Sequence, residues 1–399
     1  MTSDYPIRKI FQQFFPAYLK AHPLLDKTKV KTASAIMRCK TGELGFDVSR
    51  CKDCGKIFIH YASCNNRSCP CCQVPQEQRW IKLRQNEVVY GIAYYHVIFT
   101  LPSELNALIL GNFTLLCNLL FSCIHETLLT LCSDRQYMGA KPGILSVLHT
   151  WGQKLNFHPH VHVCLSGGGM TSTGQFVQTR HKGFLIPEAV IAAMFRGKYL
   201  AGLKQLHDEG RLTFQTAPKL ADLKNWQTFI DKLYSKRWLP FVKETFNGKG
   251  NAIQYLARYS YRSAISNARI LSVNEKEVTF RYKDYKDHCI EKTLTVSGEN
   301  FIGMFLLHVL PKGFNRIRYA GYLTNCSKTK NLKRIHLLIG SIWEPSSFAK
   351  MNISGLILHL FGKDICKCPK CSGVLIHYIR DRPWAKREVL SGITKKEIR

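Results

Sequence analysis

Acidic residues are scarce in this chain of 399 residues. It has 27 Asp and Glu against 57 Lys and Arg, which leaves a net charge of +30. Residues 140–170 and 301–343 contain no acidic residue at all. A surplus of this size exceeds what solubility requires and favours a polyanionic partner, and we expect nucleic acid rather than an anionic membrane.

Export and membrane signals are also missing. The first twenty residues lack an apolar segment ahead of a small-residue cleavage site, so we expect no secretory signal. One uncharged apolar stretch, residues 105–125, is interrupted by three Asn and by Gly111, Ser122 and His125, which favours a buried helix over a membrane span. The sixteen cysteines are then expected in a reducing, cytoplasmic compartment, where clustered thiols indicate metal ligands rather than disulfides.

The length of the chain predicts two or three domains, and the hydrophobic pattern predicts both helices and strands. Helices are predicted over residues 1–38, 76–88, 105–125, 187–208 and, with interruptions, 225–268. Strands are predicted over residues 94–102, 144–152, 160–168 and 277–285. We divide the chain into an N-terminal domain (1–90), a core with a basic extension (91–345) and a C-terminal tail (346–399).

Seven cysteines between residues 39 and 72 predict a structural zinc site. Cys51-x2-Cys54 and Cys69-x2-Cys72 are separated by fourteen residues, a spacing at which two turns can close one tetrahedral four-sulfur site. A redox role is disfavoured because no thioredoxin-like βαβ pattern surrounds the pairs. Two questions stay open: whether other nearby thiols take part, and whether a second half-motif near the C-terminus binds another ion with His377 or with spare N-terminal thiols. The residues concerned are Cys39, Cys64 and Cys71, and Cys366, Cys368 and Cys371.

The stretch "NFHPHVHVCLSGGG" (156–169) places histidines at every second position. In a strand His160 and His162 share one face, while Val161 and Val163 enter the core. A hairpin turning near residue 154 would set His149 opposite His160, and His158 is the competing third ligand. These groups predict a divalent ion, Mg²⁺ or Mn²⁺, and with no acidic base nearby we expect it to act on a phosphate beside a separate nucleophile.

Tyr255 and Tyr259 are the candidate nucleophiles, because a tyrosine oxygen can attack a phosphodiester. In the predicted helix these two residues, four apart, share one face. Arg258 and Arg262 form a second such pair suited to phosphate contact. Taken alone, the tyrosines could equally be a buried aromatic stripe. Further along, Lys312, Arg316 and Arg318 are interleaved with the aromatic residues Phe314, Tyr319 and Tyr322. This composition is typical of a single-strand DNA channel, and a solvated basic face is the alternative.

From Cys39 to about Gly340 the chain resembles the two-tyrosine transposases of the insertion-sequence ninety-one family, which belong to the His-hydrophobic-His (HUH) endonucleases. The blocks that carry the resemblance are "CKTGELG", "SCNNRSCPCCQ", "YYHVIFTLPSEL", "VLHTWGQKLNFHPHVHVCLSGGG", "YLARYSYRSAISNARI", "VTFRYKDY" and "FLLHVLPKGFNRIRYAGYL".

The resemblance implies a zinc-binding N-terminal domain and an HUH core, which is an antiparallel sheet with flanking helices and hence an α+β fold. It implies His160 and His162 as the metal pair, and a third ligand eleven residues upstream fits His149. Tyr255 and Tyr259 become the nucleophiles of a prokaryotic DNA transposase that forms 5′-phosphotyrosine on single-stranded DNA of element ends and target. Two rival functions stay open, a non-catalytic zinc-dependent DNA-binding regulator and a metal hydrolase.

Overall fold

The structure is a computed structural model that describes residues 5–179, 186–238, 240–247, 263–285, 287–381 and 388–389. Its helices, numbered in chain order, are α1 Pro6–Ala21, α2 Lys27–Arg38, α3 Val74–Gln85, α4 Asn106–Gly111, α5 Phe113–Ser133, α6 Glu188–Asp208, α7 Leu223–Ser235, α8 Gly298–Leu306, α9 Lys328–Leu338 and α10 Ile353–Phe361. Its strands are β1 Phe46–Cys51, β2 Ile57–Tyr61, β3 Ala93–Thr100, β4 Lys141–Trp151, β5 Phe157–Met170, β6 Phe176–Gln178, β7 Phe241–Asn247, β8 Ile270–Val273, β9 Glu277–Asp284, β10 Ile290–Ser297, β11 Ile317–Gly321, β12 Leu375–Asp381 and β13 Glu388–Val389.

The central sheet is antiparallel and has the strand order β11-β4-β5-β3-β7, with β6 added beside β5. The α+β fold and the predicted strands of this sheet are therefore confirmed. One prediction is wrong: residues 241–247 form edge strand β7 instead of part of a long helix. The run "FVKETF" is rich in β-branched and aromatic residues, which favour a strand, and it pairs antiparallel with β3.

One face of this sheet packs on helices α5 and α6. Val161 and Val163 of β5 are fully buried there, and Phe99 of β3 meets Phe195 of α6 edge to face at 4.9 Å between ring centroids. Within the described residues α5 alone is long and apolar enough to cross a membrane. It packs nine buried residues into this core, as predicted for the stretch around residues 105–125. The histidines of β5 consequently lie on the opposite face.

The three glycines that end the histidine stretch are packing positions inside β5. A Cβ at Gly169 would lie 2.6 Å from the backbone oxygen of Lys141, and one at Gly168 would lie 2.7 Å from the ring of Phe176. Their role is close approach of neighbouring backbones. They do not form a flexible loop after the strand.

The two ends of the chain share a second sheet of order β13-β12-β1-β2, in which β1 pairs with β12 on one side and β2 on the other. A third sheet, β10-β9-β8, packs with α1 and α8 into a separate core, where Phe11 meets Phe305 at 5.0 Å. Trp151 and Leu155, at the turn of the β4–β5 hairpin, also join this core. The histidine face thus lies next to the N-terminal region.

Candidate metal centres and DNA-processing site

The β4–β5 hairpin brings three histidines together. His149 lies directly opposite His160 in the register, as the predicted turn requires, and His162 follows on the same face of β5. One ring nitrogen from each of the three lies within 4.8 Å of the others. His149 therefore occupies the third position of this group, and His158 does not.

Hydrogen bonds engage the Nδ1 atom of each of the two β5 histidines, His160 and His162. Nδ1 of His160 lies 2.7 Å from the carbonyl oxygen of His158, which can only accept, so Nδ1 donates and Nε2 keeps its lone pair. Nδ1 of His162 lies 2.9 Å from Nε2 of His96 on β3, so this contact uses Nδ1 of His162 and not its Nε2. Ligand histidines usually have such a partner on the second nitrogen, which fixes the orientation of the ring.

Burial keeps these imidazoles neutral. It lowers the pKa of His160 to about 4, although the hydrogen bond to His158 opposes the shift, and it lowers the pKa of His162 well below the usual value. Burial and, secondarily, the charge of Lys243 lower the pKa of His96 to about 4. Since only neutral imidazole binds a metal ion, the two β5 imidazoles are in their binding form at neutral pH.

Sequence reasoning missed His96. A lone histidine in "YYHVIFTLP" carries no spacing signal, and its partner is 66 positions away. Only the β3–β5 register, which pairs His96 with Cys164, sets it beside His162.

The predicted nucleophiles and their arginines lie outside the described residues. These are Tyr255, Tyr259, Arg258 and Arg262. The nearest described residues upstream belong to β7, which pairs with β3 next to the histidine strand.

The cysteines form two groups of four rather than the single predicted site. One group contains Cys39, Cys64, Cys69 and Cys72, and the other contains Cys51, Cys54, Cys368 and Cys371. The prediction that Cys51 and Cys54 share an ion with Cys69 and Cys72 is therefore wrong. The sequence could not reveal this, because the C-terminal pair approaches only when β12 joins β1.

The first group fits a structural zinc ion. Its four sulfurs lie within 4.8 Å of one another, Cys64 and Cys72 are separated by 3.8 Å, and Cys39 and Cys69 are fully buried. Thiolate sulfur is the donor that structural zinc prefers. Cys71 is buried but does not belong to the group.

Arg67 docks this cysteine group onto the core. Its guanidinium donates to the carbonyl oxygens of Phe314 at 2.7 Å, Leu310 at 2.9 Å and Pro311 at 2.8 Å. Burial lowers its pKa. The polar segment "SCNNRSCP" thus uses its arginine inside the protein.

The basic segment near residue 315 differs from the predicted channel. Phe314 and Tyr322 are 5% and 3% exposed, so their rings cannot stack on bases, contrary to expectation. Arg318 lies over the ring of Phe121 at 4.3 Å and hydrogen-bonds to Asn118. Lys312 is exposed and Arg316 is half-buried.

Comparison with known proteins identifies the family of this chain. Residues 143–330 match the family model described as "Putative transposase", and residues 10–101 match "Transposase zinc-binding domain". The chain is 36% identical over 368 residues to "Putative transposase y4qJ" of Sinorhizobium fredii, covering 92% of each protein. It is 26% identical over 391 residues to the "Transposase for insertion sequence element IS801" of Pseudomonas savastanoi pv. phaseolicola, covering 94% of this chain and 91% of that protein. No solved structure matches. The chain therefore belongs to the insertion-sequence ninety-one family of transposases and carries that family's zinc-binding domain.

Proposed function

We propose that this transposase cuts and rejoins single-stranded DNA at the ends of its element and at the target, using tyrosine nucleophiles and a divalent ion. The observation that carries the proposal is the group of His149, His160 and His162 on adjacent strands. Burial lowers the pKa of the two β5 members, His160 and His162. The net charge of +30 supports a DNA substrate. Tyr255 and Tyr259 are proposed as the nucleophiles.

In the proposed step a tyrosine oxygen attacks a backbone phosphorus, and the bond from phosphorus to the 3′ oxygen breaks. The DNA 5′ end then remains on tyrosine as a phosphotyrosine, and the other end leaves as a free 3′-OH carrying a proton. That 3′-OH can later attack a phosphotyrosine and restore the phosphodiester, so the bond energy is conserved without ATP. A tyrosine hydroxyl has a reference pKa of about 10 and therefore has to be brought to an activated phosphate.

The three histidines would hold the ion with Nε2 of His160 and of His162 and with one ring nitrogen of His149. When bound, a divalent ion stabilises negative charge on the non-bridging phosphate oxygens. The donor set of three imidazoles suits a transition ion such as Mn²⁺ better than Mg²⁺, which prefers oxygen ligands. The chain's own contribution is rigidity, because the backbone of His158 and the ring of His96 fix the two β5 imidazoles.

The test is a covalent adduct. Purified protein is incubated with labelled single-stranded element ends and Mn²⁺ or Mg²⁺, and the labelled product is analysed before and after protease treatment. We expect a protease-sensitive adduct that a chelator prevents. DNA binding without any adduct would instead support a zinc-dependent regulator, and cleavage without an adduct would support a metal hydrolase.

The division of labour between the tyrosines has its own test. Tyr255→Phe and Tyr259→Phe should each still form some adduct but fail at complete transposition, and the double variant should form none. Tyr261→Phe is the matched control, because it removes a hydroxyl from the same segment, and it should behave as wild type. An adduct formed by the double variant but lost in the control would refute this choice of nucleophiles.

The metal pair is tested by His160→Ala and His162→Ala. Each should abolish adduct formation and leave DNA binding largely intact, because the basic surface is unchanged. Normal cleavage by the double alanine variant would end the assignment. We expect His149→Ala to be more damaging than His158→Ala, since only His149 belongs to the group.

A further inference from the structure

Four cysteines from opposite ends of the chain meet beside the β1–β12 pair. Cys51 is the last residue of β1 and Cys54 lies in the turn that follows. Cys368 and Cys371 lie just before β12. Cys51 lies 3.4 Å from Cys371, 320 positions away, and Cys54 lies 3.7 Å from Cys368. All four sulfurs fall within 4.8 Å of one another.

These separations are those of ligands around one ion. For sulfurs at 2.3 Å from a tetrahedral zinc ion, the distance between two sulfurs is about 3.8 Å. A disulfide would require a far shorter distance of about 2.05 Å between the sulfurs. The four thiols therefore lie at a spacing suited to a shared cation.

The two halves of the group also have matching backbone turns. The residue after the second cysteine adopts a left-handed conformation in both, with φ of 67° at Gly55 and 62° at Ser372. The amide of Lys370 donates to the sulfur of Cys368 at 3.4 Å, as the amide of Cys71 does to Cys69 in the first cysteine group. The left-handed backbone conformation of Ser372 is unfavourable for a residue other than glycine.

Strand pairing fixes the two turns against each other. Cys51 stands opposite Leu375 in the β1–β12 register, and the amide of Lys52 donates to the carbonyl oxygen of Val374 at 2.9 Å. Cys51 and Cys368 are 1% and 2% exposed, whereas Cys54 and Cys371 face solvent. Half of the group is thus sealed in protein and half can be reached by reagents.

We propose that Cys51, Cys54, Cys368 and Cys371 bind a second structural zinc ion that clasps the C-terminal segment onto the N-terminal zinc-binding domain. The two matched family regions end at residues 101 and 330, so Cys368 and Cys371 lie beyond both. This clasp is independent of the tyrosine chemistry. Its consequence is that the N-terminal domain is complete only when residues near the C-terminus are present.

The metal content of full-length protein tests the clasp. Wild type purified without chelator should contain two zinc ions per chain, one for each cysteine group. The Cys368→Ser, Cys371→Ser double variant should lose one of the two. Cys366→Ser is the matched control, an exposed neighbouring thiol outside the group, and should keep both. One zinc ion in wild type, or no loss in the double variant, would overturn the proposal.

Thiol protection tests it without any substitution. Exposed free thiols react readily with iodoacetamide, whereas zinc-bound thiolates are shielded. Mass spectrometry of the folded protein should show Cys289, Cys326 and Cys366 modified first, and Cys54 and Cys371 modified only after a chelator is added. Modification of Cys54 and Cys371 together with the other exposed thiols, before the chelator, would refute the clasp even if the double variant failed to fold.

Discussion

Removing the imidazole of His96 should weaken metal binding without touching the proposed ligands. His96 is 2% exposed, and its Nε2 lies 2.9 Å from Nδ1 of His162. If that contact fixes the ring of His162, His96→Ala frees the ring to rotate. Loss of such an outer partner typically lowers metal affinity 10- to 100-fold, which is about 1.4–2.7 kcal/mol.

The assay is adduct formation measured across a Mn²⁺ titration. For His96→Ala we expect the half-saturating Mn²⁺ concentration to rise about 10- to 100-fold, while the rate at saturating Mn²⁺ stays near that of wild type. His96→Gln, which keeps an amide able to hydrogen-bond, should recover part of the affinity. Both readouts separate a positioning role from simple loss of folded protein.

His125→Ala is the matched control. It also removes an imidazole whose Nε2 makes a 2.9 Å hydrogen bond, here to the hydroxyl of Ser146, but His125 is not in the histidine group. Its Mn²⁺ dependence should match wild type. An unchanged dependence in His96→Ala, or an equal shift in His125→Ala, would show that His96 does not support the metal site.

Three further predictions concern stability and DNA binding. Burial lowers the pKa of His308 to about 4, so below pH 6.5 the unfolded chain binds more protons than the folded chain and the free energy of unfolding should fall as the pH drops towards 4. His308→Gln should reduce the slope of the unfolding free energy against pH by up to about 1.4 kcal/mol per pH unit. Urea unfolding at pH 7, 6 and 5 measures this slope, and a slope equal to that of wild type would contradict the prediction. Arg318→Ala should lower the free energy of unfolding by about 0.5–2 kcal/mol, because its cation–π contact with Phe121 is lost. Lys312→Ala should leave stability unchanged but reduce the slope of log affinity for single-stranded DNA against log salt concentration by about 0.7. The reverse pattern would show that Arg318, and not Lys312, contacts DNA. Arg67→Ala should lower the free energy of unfolding by at least about 2 kcal/mol, since a charged donor to three backbone carbonyls is lost. An unchanged urea-unfolding curve would refute the role of Arg67 in docking the cysteine group.

The parts of the site that depend on local periodicity could be predicted from sequence. Alternation along β5 and a short turn are enough to set His149 opposite His160, because strand geometry fixes both. The groups that depend on distant pairing could not. Cys51 has two C-x2-C pairs as candidate partners, Cys69/Cys72 and Cys368/Cys371. Only the β1–β12 register selects the C-terminal pair.

Dependence on tertiary packing also explains why the role of the basic segment, residues 312–322, was predicted wrongly. Charge and aromatic content predict a nucleic-acid surface, but they do not tell which rings the fold buries. Phe314 and Tyr322 pack into two different cores, so the segment uses its aromatic residues for stability. An exposed cation such as Lys312 remains available to DNA.

The position of β1 between β2 and β12 has a consequence for synthesis of the protein. The ribosome makes β1 and β2 early, but β12 emerges about 320 residues later, which at about 5–20 residues per second takes roughly 15–60 s. During that interval one edge of β1 is unpaired, and an open strand edge can recruit another nascent chain. A polypeptide that ends before residue 375 lacks β12 and would leave this edge of β1 permanently unpaired. The first-made part of the transposase therefore finishes folding only after its last strands have been translated.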